Sequence, residues 1–262
     1  KILLMMREFT FKSIEKLFIT LLVNDYKIMS YLEYLKLSKK PDKFVILRHD
    51  VDRFPLQSLK MAVLENNLGF KSTYYFRTRS YTFKPHIISK IAKMGHEIGY
   101  HYENYSDCNG DHEKSIVNFK LNLNLFDKYY DVKTICMHGS PLSKWDNKKI
   151  WDNYDYKDYG IIADTSFDID YNDIFYITDN GWGWNNEKVS VRDKVNSNFD
   201  IIIKNTDDLI NKINQNTLPN KIMINAHPDT FFQNRFKWLL NKMFIKSKNI
   251  IKREIVRFKI LR

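Results

Sequence analysis

Phe44-Val45-Ile46-Leu47-Arg48-His49-Asp50-Val51-Asp52-Arg53 opens as an apolar, β-prone run and closes in a burst of polar residues. A run of this kind, bounded by polar residues, predicts a buried strand of an α/β protein. Reactive groups in such folds gather where strands end. Asp50 and Asp52 are two apart, so in extended chain they lean to one side. Two carboxylates on one side, beside His49 and flanked by Arg48 and Arg53, fit a metal or acid/base site. The same residues also read as a solvated loop with two ordinary carboxylates.

Outward from this stretch the chain alternates. Residues 9–37 predict one helix from the spacing of Ile14, Leu17, Phe18, Leu21 and Leu22, with Thr10 or Ser13 as its cap. Residues 56–67 predict a helix closed near Gly69, and residues 72–77 a strand. A helix over 86–94 closed by Gly95 follows, then a strand over 97–101. Helix, glycine and strand at intervals of about thirty residues signal successive βα units and a parallel sheet. Further on come a helix over 112–129, a strand over 133–138, short strands over 160–164 and 174–179, a helix over 207–214 and a last strand over 221–227. No domain boundary shows before Arg235. The expected organisation is one α/β domain over 1–234 and a basic helical tail over 235–262.

At 262 residues the chain has room for one large α/β domain or two small ones. Its net charge of +11 is uneven. Ten Lys and Arg and one acid, Glu254, lie between Arg235 and Arg262, and the rest is near neutral. That distribution does not fit a whole-surface nucleic-acid binder, and no nucleic-acid partner is expected. The tail fits an anionic membrane surface or an acidic polymer, and equally a solvated helix with a lysine-rich face. The two cysteines, Cys108 and Cys136, form no CxxC pair and read as free thiols of a reducing compartment. No stretch approaches the roughly 20 apolar residues of a membrane span. Residues 1–6 are too short for a signal sequence and are followed by Arg7 and Glu8. The expected location is cytoplasmic, with the tail as a route to peripheral attachment at the inner membrane face.

Of seven histidines, His49, His101, His138 and His227 fall at the C-terminal end of a predicted strand. In a parallel sheet or barrel those ends share one face, so the four converge with Asp50 and Asp52. This shared placement points to a metal or acid/base site. His86, His96 and His112 fall in helical or pre-strand positions and are given no role.

The motifs around these residues resemble the polysaccharide deacetylases with the NodB-type fold, carbohydrate esterase family 4. The likeness is to the kind encoded in bacterial surface-polysaccharide gene clusters. The matching pieces are Arg48-His49-Asp50-Val51-Asp52-Arg53, Gly95-His96-Glu97-Ile98-Gly99-Tyr100-His101-Tyr102-Glu103 and His138-Gly139-Ser140-Pro141-Leu142. Thr178-Asp179, Val189-Ser190-Val191-Arg192-Asp193 and Asn225-Ala226-His227-Pro228 follow in the family's order. The resemblance implies a distorted (β/α) barrel with fewer than eight complete strands. It implies a divalent metal, most often zinc, and hydrolysis of an N-acetyl group on a sugar. By motif position it implies Asp50 as catalytic base, Asp52 as metal carboxylate, His101 as first metal histidine and His227 as general acid.

One position departs from the pattern. The family's second metal histidine, four residues after the first, is Tyr105 here, and a phenol is a poor zinc ligand beside an imidazole. Glu103, His138 and His49 are candidates to complete the metal shell, with Glu103 and His138 preferred. On the substrate side stand His49, Asp179, Trp182 and Arg192. Trp182 and Trp184 read either as walls that stack on sugar rings or as core aromatics. Arg192 and Asp193 either orient Asp50 or His227 or form a surface salt bridge. The expected substrate is an acetylated amino sugar or glycan precursor on a nucleotide or lipid carrier. The alternative, kept open by Tyr105, is a deacetylase-fold protein without that chemistry that binds a glycan or a biosynthetic partner.

Overall fold

The quoted stretch forms strand β2 (Phe44–Val51), buried at every position. It belongs to a computed structural model that describes residues 7–192 and 195–260. Before it come α1 (Phe11–Val23), β1 (Lys27–Met29) and α2 (Tyr31–Lys36). The single helix expected over 9–37 is therefore broken. Asn24 closes α1, Asp25 takes a left-handed φ of 62°, and the Ser30 hydroxyl accepts the Glu33 N–H to start α2. Asn and Asp tolerate that backbone better than most residues. A three-residue strand is too short to show a period.

The chain continues through α3 (Pro55–Asn67), β3 (Thr73–Phe76), α4 (Pro85–Lys93), β4 (Glu97–Tyr102), α5 (Asn104–Asp107), α6 (His112–Asn124) and β5 (Thr134–Met137). It then runs through β6 (Ala163–Asp164), β7 (Phe175–Thr178), α7 (Thr206–Asn214), β8 (Lys221–Asn225) and α8 (Arg235–Ile260). Every strand pairing is parallel. The order is β6-β5-β4-β3-β2-β8-β7, with β1 paired to the first half of β2. Among the described residues β6 and β7 do not pair, so the curled sheet is an incomplete (β/α) barrel, the architecture expected.

Alternation along β2 sorts its side chains between two layers. Phe44 and Ile46 pack in the barrel interior with Met29, Tyr176 and Met223. Val45, Leu47 and Val51 pack in the larger layer between sheet and helices. The interior face of β2 thus reads Phe44, Ile46, Arg48, Asp50. An apolar plug fills the N-terminal end, and polar groups occupy the C-terminal end. Gly99 on β4 lets Tyr75 cross this interior. A Cβ there would stand 2.3 Å from the Tyr75 ring and 2.9 Å from the Thr134 carbonyl oxygen.

The basic segment is one 26-residue helix, α8. It is fixed across the C-terminal end of the barrel by three side chains. The Trp238 indole donates to the Glu8 carbonyl at 2.7 Å, Asn241 to the Asp229 carbonyl at 2.9 Å, and Asn249 to the Gly181 carbonyl at 2.7 Å. Among the described residues no helix is long and apolar enough to cross a membrane.

Candidate metal centre

Because all strands are parallel, their C-terminal ends deliver side chains to one place. Asp50 and Asp52 come from the end of β2, His101 from β4, His138 from just after β5, Asp179 from after β7 and His227 from after β8. All six line one cavity of 1460 Å³.

His101 Nε2 stands 3.5 Å from Asp52 Oδ1, and His138 Nε2 stands 3.4 Å from the same oxygen. The three donor atoms lie within 4.8 Å of one another. Asp52 Oδ1 is buried and makes no hydrogen bond. An orphaned carboxylate oxygen facing two imidazole nitrogens is the arrangement a cation would complete. The His101 ring is oriented for it. Its Nδ1–H donates to the Cys136 carbonyl at 3.0 Å, which leaves the Nε2 lone pair facing Asp52. Burial holds the His101 pKa below its ordinary value, so the ring is neutral, as a ligand must be. Asp50, His101 and Cys136 form a second cluster. Burial pushes the Cys136 thiol well up, and Arg48 donates to its sulfur at 2.6 Å, so this sulfur is the poorer ligand.

Asp50 is held from below and from the side. Asn225 Nδ2 donates to Asp50 Oδ2 at 2.9 Å, and Arg48 lies 3.5 Å from that oxygen. Burial alone would raise the Asp50 pKa, but Arg48 foremost, with the charged His227, brings it below the ordinary carboxylate range. Its Oδ1 is buried and without a hydrogen-bond partner. Arg48 is itself enclosed, donating to Thr165 Oγ1 at 2.7 Å and Tyr176 Oη at 3.0 Å. A buried cation beneath the carboxylate is the signal sequence reasoning underused. Arg48 shares the parity of Asp50, and Asn225 stands opposite Arg48 in the β2–β8 register.

His227 Nε2 lies 4.0 Å from Asp50 Oδ2 on one side. On the other, its Nδ1–H donates to Asp179 Oδ1 at 2.5 Å. Burial works against the charged ring, but Asp179, Asp50 and Asp52 push the His227 pKa up to about 10.

Glu103 is not in the three-atom cluster. Arg77 holds it through two bonds of 2.8 and 2.6 Å and Arg79 through one of 2.7 Å, and its Oε2 lies 3.1 Å from His138 Nδ1. It stands behind His138, whose pKa Asp52 and Glu103 push up to about 9 against the effect of burial, so a cation binding there must displace a proton from Nε2. The two arginines fall at and beyond the end of β3, where a polar strand end was the available signal. Tyr105 turns away to pack on Trp145, its hydroxyl 3.2 Å from His112 Nε2.

His49 does not line the cavity, which corrects its expected place beside substrate. Strand alternation points it to the outer layer, where Nε2 meets Glu65 Oε1 at 2.5 Å and Nδ1 meets the Ala226 carbonyl at 2.8 Å. Trp184 is a core aromatic bonded to Thr206 Oγ1 at 3.0 Å, whereas Trp182 lines the cavity between Phe9 and Trp238. Arg192 donates to the carbonyls of Gly139, Ser140 and Ser143 at 2.6 to 2.7 Å, clamping the loop that follows β5. Asp193 lies outside the described residues.

The chain is similar in structure to carbohydrate esterase family 4 deacetylases. One is the catalytic domain of a peptidoglycan N-acetylglucosamine deacetylase from Eubacterium rectale, at 13% identity and a TM-score of 0.45, covering 80% of this chain and 87% of that one. Another is the CE4 domain of a multidomain xylanase from the hindgut metagenome of Trinervitermes trinervoides, at 16% identity and a TM-score of 0.41, covering 80% and 85%. A third is a CE4 family pseudoenzyme from Bacillus anthracis, at 12% identity and a TM-score of 0.46, covering 80% and 63%. No protein-family model matches the chain, and no curated protein matches it at a significant level.

Proposed function

We propose that this protein is a divalent-metal-dependent hydrolase that removes an N-acetyl group from an amino sugar of a surface-polysaccharide precursor. The observation that carries the proposal is the convergence of Asp52 Oδ1, His101 Nε2 and His138 Nε2 beside Asp50 and His227 on one cavity wall. The motif resemblance supports the choice of reaction.

Two imidazoles and a carboxylate form a donor set suited to zinc with a position left open. Asp52, His101 and His138 would hold such an ion, which would lower the pKa of a water and polarise the acetyl carbonyl. Asp50 is the base: its free Oδ1 accepts the proton of the attacking water, while Arg48 and Asn225 hold Oδ2. His227 is the acid. An amide anion is a very poor leaving group, so the departing nitrogen must be protonated as the C–N bond breaks, and His227 Nε2–H supplies that proton. Asp179 fixes the His227 tautomer and keeps the ring charged. Trp182 supplies an apolar face against which a sugar ring packs, and Arg192 holds the opposite loop.

Metal analysis of the purified protein, with acetate release measured over a panel of acetylated amino sugars, tests the proposal. The expected result is stoichiometric zinc and released acetate, with Asp50→Asn abolishing acetate but keeping the metal. A protein that takes up no metal when zinc is supplied is not a metallohydrolase.

A further inference from the structure

Helix α8 keeps large apolar side chains on the face that an ordinary surface helix fills with polar ones. Toward the barrel it sets Trp238, Ile245 and two asparagines; Asn241 and Asn249 are buried there and hydrogen-bonded to the backbone of the domain. The side turned to solvent is largely apolar. Phe236, Leu239, Met243 and Ile250 are 49 to 68% exposed, and Leu240, Phe244, Ile251 and Phe258 are exposed beside them. At 3.6 residues per turn these eight fall within one arc of about 140°, which Ser247, Glu254 and Arg257 interrupt in the last turns of the helix. Cations flank both borders, Arg235, Lys246 and Arg253 along one and Lys237 and Lys248 along the other.

The apolar surface does not stop at the helix. Leu240, Phe244 and Ile251 line the mouth of the cavity that holds Asp50 and Asp52, and so do Phe54, Leu56 and Leu142 from other elements. The last three are also exposed. Rim and helix face therefore adjoin, with the cavity opening between them. Exposed apolar area of this extent, bordered by one sign of charge, marks a docking surface.

We propose that this surface docks in plane on an anionic lipid bilayer, with the apolar arc at the acyl boundary and the flanking Lys and Arg among the headgroups. Charge decides the occupant. Helix α8 carries nine Lys and Arg against Glu254 alone. A second copy of the chain would bring like charge to the same face, whereas anionic lipid brings the opposite sign. Docked in this way, the cavity mouth opens onto the membrane surface. On the deacetylase reading, the substrate is an amino sugar on a lipid phosphate, presented beside Lys248 and Lys252 at the cavity wall.

The test reads binding and needs no catalysis, so its outcome is independent of the deacetylase reading. The full chain is sedimented with vesicles of phosphatidylglycerol and phosphatidylcholine, and with vesicles of phosphatidylcholine alone, at low and high salt. A triple variant, Leu239→Asp with Met243→Asp and Ile250→Asp, changes only exposed side chains and keeps the wild-type melting temperature. The expected result is pelleting with the phosphatidylglycerol vesicles that weakens with salt, and binding at least about tenfold weaker in the variant. Absence of pelleting on anionic vesicles, or pelleting indifferent to the triple variant, overturns the proposal. A concentration-dependent dimer that the variant abolishes, seen by light scattering without vesicle binding, overturns it in favour of a second copy.

Discussion

Asp179→Asn probes how the site keeps a proton ready. His227 has its pKa pushed up to about 10, from an ordinary value of 6.5. Burial opposes that rise, and Asp179, Asp50 and Asp52 produce it, with Asp179 the nearest at 2.5 Å. At about 1.4 kcal/mol per unit, the protonated ring is favoured by roughly 5 kcal/mol over the free imidazole. An asparagine keeps the acceptor oxygen but removes the charge. A lost charge partner of this kind is worth about 1–3 units, so the variant ring should titrate near pH 8. Two measurements follow. In an NMR titration of the protein stripped of metal by chelator, the His227 ring of the wild type titrates near pH 10 and moves down by about 2 units in the variant. In thermal melts, the sign is set by linkage: a raised folded-state pKa stabilises fully below about 6.5, and that stability is lost as pH rises through about 10. The wild type therefore loses stability over that interval and the variant loses less. A His227 titration that stays in place in the variant would refute the assignment of His227 as a proton donor poised by Asp179.

Three other outcomes are expected. His138→Ala loses stoichiometric metal, Glu103→Gln weakens metal binding by about 10–100-fold through the His138 ring, and Tyr105→Phe leaves it unchanged; metal titration of the three variants decides, and loss in Tyr105→Phe alone would reverse the ligand assignment. Gly99→Ala forces a methyl into the Tyr75 ring and the Thr134 carbonyl, costing about 1–3 kcal/mol in denaturant unfolding; an unchanged midpoint contradicts the close approach. Burial raises the Asp164 pKa to about 6, so the folded state holds that proton more tightly than the unfolded chain, and stability from this group falls by about 3 kcal/mol as pH rises from about 4 to 6. Asp164→Asn should remove that slope, which urea melts at the two ends of the interval measure.

The parallel βα frame is legible because helices α3 and α4 each end near a glycine, Gly69 and Gly95, and are followed at regular intervals by strands that end against polar residues. Strand β1 is not. It is three residues long and sits between helices whose apolar spacing runs on through it, so only the turn at Asn24 and Asp25 marked the break. His49 was misplaced for a different reason. Its type and neighbours suit a site, but strand parity decides orientation, and parity puts it with Val45 and Leu47 rather than with Arg48 and Asp50. The parity was in the sequence. What the sequence lacked was which face is the interior, since β2 is apolar on both faces and buried throughout. For α8, composition shows the charge but not the large apolar side chains left facing solvent. Buried asparagines are recognised only once Asp229 and Gly181 are seen to receive them.

Tyr105 gains a physical meaning from the sheet order. Strands β4 and β5 are neighbours, and His101 stands opposite Cys136 in their register. His138 lies two residues beyond Cys136, so it leaves β5 level with the first residues after His101 and on the cavity side. The distance from His138 Nε2 to Asp52 Oδ1 is 3.4 Å, matching the 3.5 Å of His101. A histidine on α5 is therefore not needed for a second imidazole to reach Asp52. The adjacent strand end supplies one, and Glu103, held by Arg77 and Arg79, stands behind its ring as the orienting carboxylate. With that role filled, Tyr105 is free to pack on Trp145 and seal the outer side of α5. In the proposed metal centre the end of β5, rather than α5, supplies the second imidazole, with Glu103 behind its ring.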